Sequence, residues 1–252
     1  MLARCLSSLI ALLLSVTPAA SQALGGDFIL DGGTGQRPQN ETVTLTRGTC
    51  VHDTANATTY NSAGFQATGT GRGATETYYP IVTVSGEDNA AAFGVASMTI
   101  NGSPAIEVID EDGSGVVNTA LYRGATEITG STINVSVTFT EALAGSASVC
   151  AWGLKGLQSF TPSSSVQDDD TASGVLVLTT ATTVSGGFVI GYCAVQDTGV
   201  STTWAVLTEQ EDAANGEHDV SNADAAATGA SMANTCDWSG AGDASGVAAA
   251  FR

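Results

Sequence analysis

From about residue 78 the chain is a succession of short runs in which β-branched, aromatic and other apolar residues alternate with Thr, Ser and Asn, the runs separated by turn signals. The runs fall at 79–84, 95–100, 105–109, 116–122, 132–139, 147–154, 175–180, 187–195, 203–207, 229–235 and 246–251. This spacing is that of an all-β sandwich or barrel, and no segment of useful length carries a helical period. Two stretches are the sharpest. In 133–139, Ile133, Val135, Val137 and Phe139 share one face while Asn134, Ser136 and Thr138 share the other, so the strand is half buried. Between Ile100 and Ser103, Asn101-Gly102 supplies the two positive-φ positions of a two-residue hairpin turn. Trp152, in the run Val149-Cys150-Ala151-Trp152, reads as half buried, and Thr-rich exposed faces favour strand without adding charge.

Before residue 78 the pattern changes. Residues 24–77 are rich in Gly, Thr, Asn and Ser and contain one clear alternation, Thr42 to Thr46, which predicts an arm with minor β structure. Residues 1–23 place Arg4 ahead of an apolar stretch from Leu6 to Val16, followed by Pro18 and by Ser21 and Ala23 at a −3/−1 cleavage spacing. That is a signal-peptide layout, with an assembly arm as the alternative, and the apolar run falls well short of the ~20 residues that span a bilayer. The expected organisation is a hydrophobic segment at 1–23, an arm at 24–77 and a sandwich domain at 78–252, with no stable membrane span.

Charge narrows the function classes. Seven basic residues, among them the single lysine Lys155, stand against 25 acidic ones, for a net charge of −18. Nucleic-acid affinity is built from clustered Lys and Arg that displace counterions, so nucleic acid is excluded as a direct partner. Only 13% of residues are charged, against ~25% in ordinary globular domains.

Candidate chemistry is sparse. Cys50, Cys150, Cys193 and Cys236 make an even set that fits two disulfides in an exported chain, with three pairings open. No CxxC or CxH spacing points to zinc. Asp110 and Asp112, beside Gly113 and Gly115, offer hard oxygen ligands for Ca²⁺, but the loop lacks EF-hand spacing and also reads as a solvated turn. Asp168-Asp169-Asp170 reads as a solvated loop tip. Neither His52 nor His218 sits in a nucleophile-elbow, HExxH or other catalytic motif, and His218, between Glu217 and Asp219, is expected on the surface with a raised pKa. Trp204 and Trp238, both among polar neighbours, are the candidates for a glycan-stacking face.

The order of elements resembles jelly-roll β-sandwich modules of tailed-phage virion proteins and bacterial surface proteins. The pieces that carry the resemblance are the 97–102 hairpin, the Leu121-Tyr122 strand, the alternating 132–140 strand and 148–157 leading to Thr161-Pro162. Gly186 to Ile190 and the closing Ser245 to Phe251 complete them. The resemblance implies an all-β, jelly-roll or Ig-like antiparallel sandwich with a non-enzymatic structural role and no shared catalytic residues. A phage virion component (decoration, fibre or tail protein) is the leading expectation. The alternatives are a Sec-exported bacterial adhesin or extracellular filament subunit, and a carbohydrate-binding module. Localisation is then virion or extracellular, and partners are further copies or other structural proteins of a particle or cell surface.

Overall fold

A computed structural model describes residues 43–252 apart from positions 49, 56, 67–75, 89–92, 112–115, 131, 144, 172, 181–182, 197–198, 217 and 241, with backbone alone at 62–66. All of them belong to one compact unit, Gly35–Arg252. The signal-like segment 1–23 and much of the expected arm lie outside the described residues.

The described residues form strands and no helix, as the alternating pattern predicts. The first half contains β1 (Thr44–Arg47), β2 (Val51–Asp53), β3 (Thr59–Gln66), β4 (Thr77–Glu87), β5 (Val95–Ile100), β6 (Ser103–Pro104), β7 (Ile106–Glu111), β8 (Val117–Arg123), β9 (Ile128–Thr129), β10 (Thr132–Phe139) and β11 (Ala147–Lys155). The second contains β12 (Ser164–Asp170), β13 (Val175–Val177), β14 (Phe188–Val195), β15 (Thr202–Trp204), β16 (Thr208–Asn215), β17 (His218–Ala226), β18 (Thr235–Trp238) and β19 (Ala244–Phe251).

Each half is an antiparallel two-sheet sandwich, and the two have the same topology. The first pairs an inner sheet, β1-β11-β4-β8-β7, with an outer sheet, β3-β10-β5-β6. The second pairs β12-β19-β14-β17-β16 with β13-β18-β15. With the short strands β2, β6 and β9 left out, replacing β1, β3, β4, β5, β7, β8, β10 and β11 by β12 through β19, in that order, turns one pattern into the other. Register agrees: Ser148 of β11 lies opposite Ser85 of β4, and Ser245 of β19 lies opposite Ala194 of β14. Where β11 and β19 begin, the sequences run Ala144-Gly145-Ser146-Ala147-Ser148 and Ala241-Gly242-Asp243-Ala244-Ser245.

Alternation along the strands builds three stacked cores. Val82 and Val84 of β4 and Val149 and Ala151 of β11 meet the outer-sheet residues Tyr60, Met98, Ile133, Val135 and Val137. The opposite faces, with Ile81, Leu121, Trp152 and Leu154, meet Ile190, Tyr192, Val247, Ala249 and Phe251 of the second half. Beyond them, Cys193, Val195 and Ala248 pack on Leu176, Cys236 and Trp238, and Val189 and Ala250 on Leu207 and Met232. The four sheets therefore stack outer, inner, inner, outer. β11 and β19 are buried along nearly their whole length because both of their faces are covered. Trp152 is accordingly wholly buried rather than half buried.

Local expectations meet the structure unevenly. Asn101 and Gly102 both have positive φ and join Ile100 to Ser103, as the Asn-Gly pair predicts. Ile133, Val135, Val137 and Phe139 are all buried. The expected arm contributes more than minor structure: β1 and β2 run consecutively along β11, and β3 forms the edge of the outer sheet beside β10. Asp168 to Asp170 are not a loop tip but the end of edge strand β12, paired with β19 from Gly246 to Ala244. The acidic stretch around 208–226 is the hairpin β16–β17, turned at Gly216 after Asn215.

Gly191 shows how closely the second core is fitted. A Cβ there would lie 2.7 Å from Leu207 Cδ1 and 2.7 Å from Trp204 Cζ3. Gly191→Ala is expected to cost about 1–3 kcal/mol through overpacking, whereas Thr203→Ala on the exposed face stays within about 0.5 kcal/mol. Thermal unfolding of the two variants beside the parent checks this, and equal midpoints for all three contradict the packing described.

Candidate functional site at the seam between the inner sheets

Where the two inner sheets face each other, polar side chains are interleaved with the apolar ones. They are small near β8 and β19, where Thr119 Oγ1 and Ser245 Oγ lie 2.7 Å apart. On the opposite side, between β11 with its flanking strands and β17, they are larger. Alternation places His218, Asn222 and Asp224 of β17 on the seam, facing Arg47, Cys50, His52, Ser146 and Ser148.

His218 sits at the closed end of this cluster and is wholly buried. Its Nδ1 lies 2.8 Å from Ser146 Oγ, and the Ser146 hydroxyl donates to the Asn215 carbonyl. Ser146 therefore accepts from Nδ1–H, which leaves Nε2 to accept from Ser85 Oγ at 3.0 Å. Ser85 in turn lies 2.8 Å from the Tyr192 hydroxyl. The ring is a neutral imidazole with both nitrogens satisfied. Burial pushes its pKa down to about 3, and the nearby His52 adds to the shift. The sequence expectation of a surface histidine with a raised pKa is thus reversed, because β17 is an inner-sheet strand covered on both faces. Burial also raises the Tyr192 phenol above its ordinary value.

A second chain of contacts leads outward. Asn215 Nδ2 donates to Ser148 Oγ (2.7 Å) and to the Ala147 carbonyl (2.8 Å). Ser148 Oγ is 2.9 Å from His52 Nδ1, and His52 Nε2 is 3.2 Å from Glu211 Oε1. The His52 contact is the main influence holding the Glu211 carboxyl below the usual carboxylate range, against the opposing effect of burial. Serine, histidine and glutamate follow one another as in a hydrolase triad, but the order of exposure is inverted. Ser148 is wholly buried, while the His52 and Glu211 side chains are 24% and 32% exposed. A nucleophile must meet the substrate, and here it lies at the closed end behind the imidazole and the Asn215 amide.

The remaining seam contacts fasten the sheets together. Arg47 grips Asp224 with two bonds, Nε to Oδ2 at 2.6 Å and Nη2 to Oδ1 at 2.5 Å, and Asp224 is 1% exposed. Within the first inner sheet Cys50, between β1 and β2, forms a disulfide with Cys150 of β11, Cα to Cα 4.2 Å, and Asn222 Nδ2 of β17 reaches across the seam to their sulfurs at 3.1 and 3.6 Å. The other disulfide, Cys193–Cys236, crosses from β14 to β18 inside the second half. Of the three open pairings, these are the two bonds formed.

The remaining predicted site residues are dispersed. Asp110 lies in β7, accepting from Asn118 Nδ2 (3.1 Å) and from the Val95 N–H (3.4 Å). Asp112 lies outside the described residues, and with it the calcium loop. Trp238 is 7% exposed, and Trp204 is half buried with its indole N–H donated to Ser221 Oγ at 2.9 Å. Both rings pack between the sheets of the second half, so they form no open stacking platform. The seam cluster escaped sequence reading because its members come from distant strands. The usable signal was Asn215-Gly216, a hairpin dipeptide like Asn101-Gly102, which places His218 on a strand. Compared with known protein families, curated proteins and solved structures, the chain finds no match.

The buried His218 makes stability depend on pH in a stated direction. Its folded pKa lies below the ordinary 6.5, so the unfolded chain takes up a proton that the folded chain refuses as pH falls below 6.5. Stability is complete above that pH and is lost on acidification at about 1.4 kcal/mol per pH unit. Denaturant unfolding at pH 7.5, 6.5 and 5 is expected to show this slope, and His218→Gln to flatten it. Equal slopes for parent and variant would contradict a buried neutral ring.

Proposed function

We propose that this is a non-enzymatic structural protein of a cell or particle surface, assembled from copies of its rigid four-layer sandwich. The observation that carries the reading is how the interior polar groups are used: those that converge at the seam bind one sheet to the next. The single triad-like arrangement among the described residues has its serine sealed inside. A shallow hollow lined by Val51, Asp53, Tyr60, Asn61, Ala147 and Val149 offers one carboxylate and no base beside it.

Exposed acids have a structural use that fits this role. Asp168 accepts the Val177 N–H at the edge of the second outer sheet, and Asp212 accepts the Thr202 N–H at the other edge. Side-chain acceptors on edge-strand donors, together with their charge, discourage indiscriminate strand pairing. Contact between copies is then directed to faces rather than edges. Among the described residues, three of the five exposed large apolar side chains, Val175, Val177 and Val206, lie on or beside the second outer sheet. Neighbouring outward positions are Thr203, Thr235 and the lone acid Asp237. On a chain of net charge −18 this weakly charged face is where a second copy packs with least repulsion.

The two disulfides support a subunit that matures in an oxidising compartment, and so favour an exported adhesin or filament subunit over a virion protein assembled in a reducing cytoplasm. The glycan-binding alternative has no open tryptophan to rest on. Light scattering at physiological salt is expected to show oligomers that Val175→Asp with Val177→Asp reduces to monomers, while a fluorophosphonate probe leaves Ser148 unlabelled. A monomer at every concentration overturns the assembly reading, and labelling of Ser148 overturns the non-enzymatic one.

A further inference from the structure

The two disulfides differ in their surroundings. Cys193 and Cys236 are both wholly buried in an apolar core with Leu176, Leu178 and Val195. Cys50 is half buried at the edge of the seam, and the Glu211 carboxylate converges on its bond with Cys150. One ligand atom each from Cys50, Cys150 and Glu211 all lie within 4.8 Å of one another, the one such group of metal-ligating side chains among the described residues.

We propose that reduction of the Cys50–Cys150 bond opens a two-thiolate, one-carboxylate site for a zinc-class divalent cation. The inference is independent of the assembly reading. Three features support it beyond proximity. The β1–β2 connection holds the Cys50 Cα 4.2 Å from that of Cys150 in β11 with both sulfurs on the seam face, so side-chain rotation alone brings them to the spacing of about 3.8 Å set by two zinc–sulfur bonds of about 2.3 Å. The Asn222 amide N–H is already directed at both sulfurs, a donor that stabilises thiolate charge. Glu211 is oriented by His52, the second partner that metal-binding carboxylates commonly have. Sulfur with one carboxylate selects a borderline-soft ion over calcium or magnesium, and a water molecule completes four ligands on the half-exposed side.

The chemistry balances with a dithiol as reductant. It delivers two electrons and two protons to the S–S bond, leaving two thiols and becoming a disulfide itself. The cation then displaces both thiol protons to solvent as two metal–sulfur bonds form. A disulfide oxidant takes the two electrons back, re-forms the S–S bond and expels the ion. Under oxidising conditions the covalent bond stays within the first inner sheet, and under reducing ones the metal ties that sheet across the seam to Glu211 of β16.

The test uses the full chain carrying Cys5→Ser, reduced anaerobically without denaturant and titrated with Co²⁺ as a spectroscopic stand-in for Zn²⁺. The expected result is one Co²⁺ per chain, with sulfur-to-cobalt charge-transfer and tetrahedral d–d bands, displaced by Zn²⁺. Glu211→Gln is expected to weaken binding at least tenfold, and Cys50→Ser to abolish the charge-transfer bands. Circular dichroism confirms folding of each variant, and thiol alkylation read by peptide mass confirms that Cys50 and Cys150 are the pair reduced. The proposal is overturned if the folded, reduced chain shows no tetrahedral cobalt spectrum. It is equally overturned if Glu211→Gln binds as tightly as the parent, or if the pair stays oxidised until the chain unfolds.

Discussion

The structure depends on one constraint: two β-sheets laid face to face exclude water, so each polar group on the facing surfaces needs a partner within the seam. An unpaired buried donor or acceptor costs about 1–3 kcal/mol, enough for a few such errors to cancel the stability of a domain. Apart from the buried Thr83 hydroxyl, which has no partner, the chain meets the constraint in two ways. Where the sheets come closest it uses short hydroxyls that pair with each other, as Thr119 does with Ser245. Across the other side it uses imidazoles, amides and an ion pair, ordered so that each donates to the next from Tyr192 through Ser85, His218 and Ser146 to a backbone carbonyl.

The same constraint accounts for the composition. With four stacked sheets, the inner strands are covered on both faces and leave little room for long charged side chains, Glu87 of β4 being one that is buried there. Thr, Ser, Ala and Gly take those places, which lowers the charged fraction more effectively than Thr-rich outer faces would. Several acids, among them Asp53, Asp168, Asp170 and Asp212, accept backbone N–H groups at edges and turns. The outcome is a strongly acidic chain whose inner sheets nevertheless bury Glu87, Asp219 and Asp224. Buried ion pairs are rare in such an interior, and the Arg47–Asp224 pair sits at the open margin, where the guanidinium stays half exposed.

Legibility in the sequence followed exposure. Strands with one wet face, such as β10, show clean alternation and were readable residue by residue. The class of fold was readable for the same reason, and so was the β5–β6 hairpin through its turn dipeptide. Strands covered on both faces blur the alternation, and acidic edge strands hide it: Asp168 to Asp170 and the run from Glu209 to Asp224 look like loops until their pairing with small residues of β19 and β17 is seen. The shared strand order of the two halves was not legible either, because the similar starts of β11 and β19 span only five residues. The seam cluster was illegible because its chemistry is assembled from residues up to 177 positions apart. A triad-like order of side chains within it is a consequence of satisfying hydrogen bonds in a closed space, and exposure rather than connectivity decides what it can do.

The central claim is that two equivalent sandwiches are fused through their inner sheets into a single stack. Native-state hydrogen exchange tests it most directly. Amides of β4, β11, β14 and β19 are expected to be the slowest to exchange and to share one opening free energy, with those of the outer strands β3, β6, β13 and β15 exchanging faster. Separate opening energies for the two halves, with inner strands no better protected than outer ones, would contradict it.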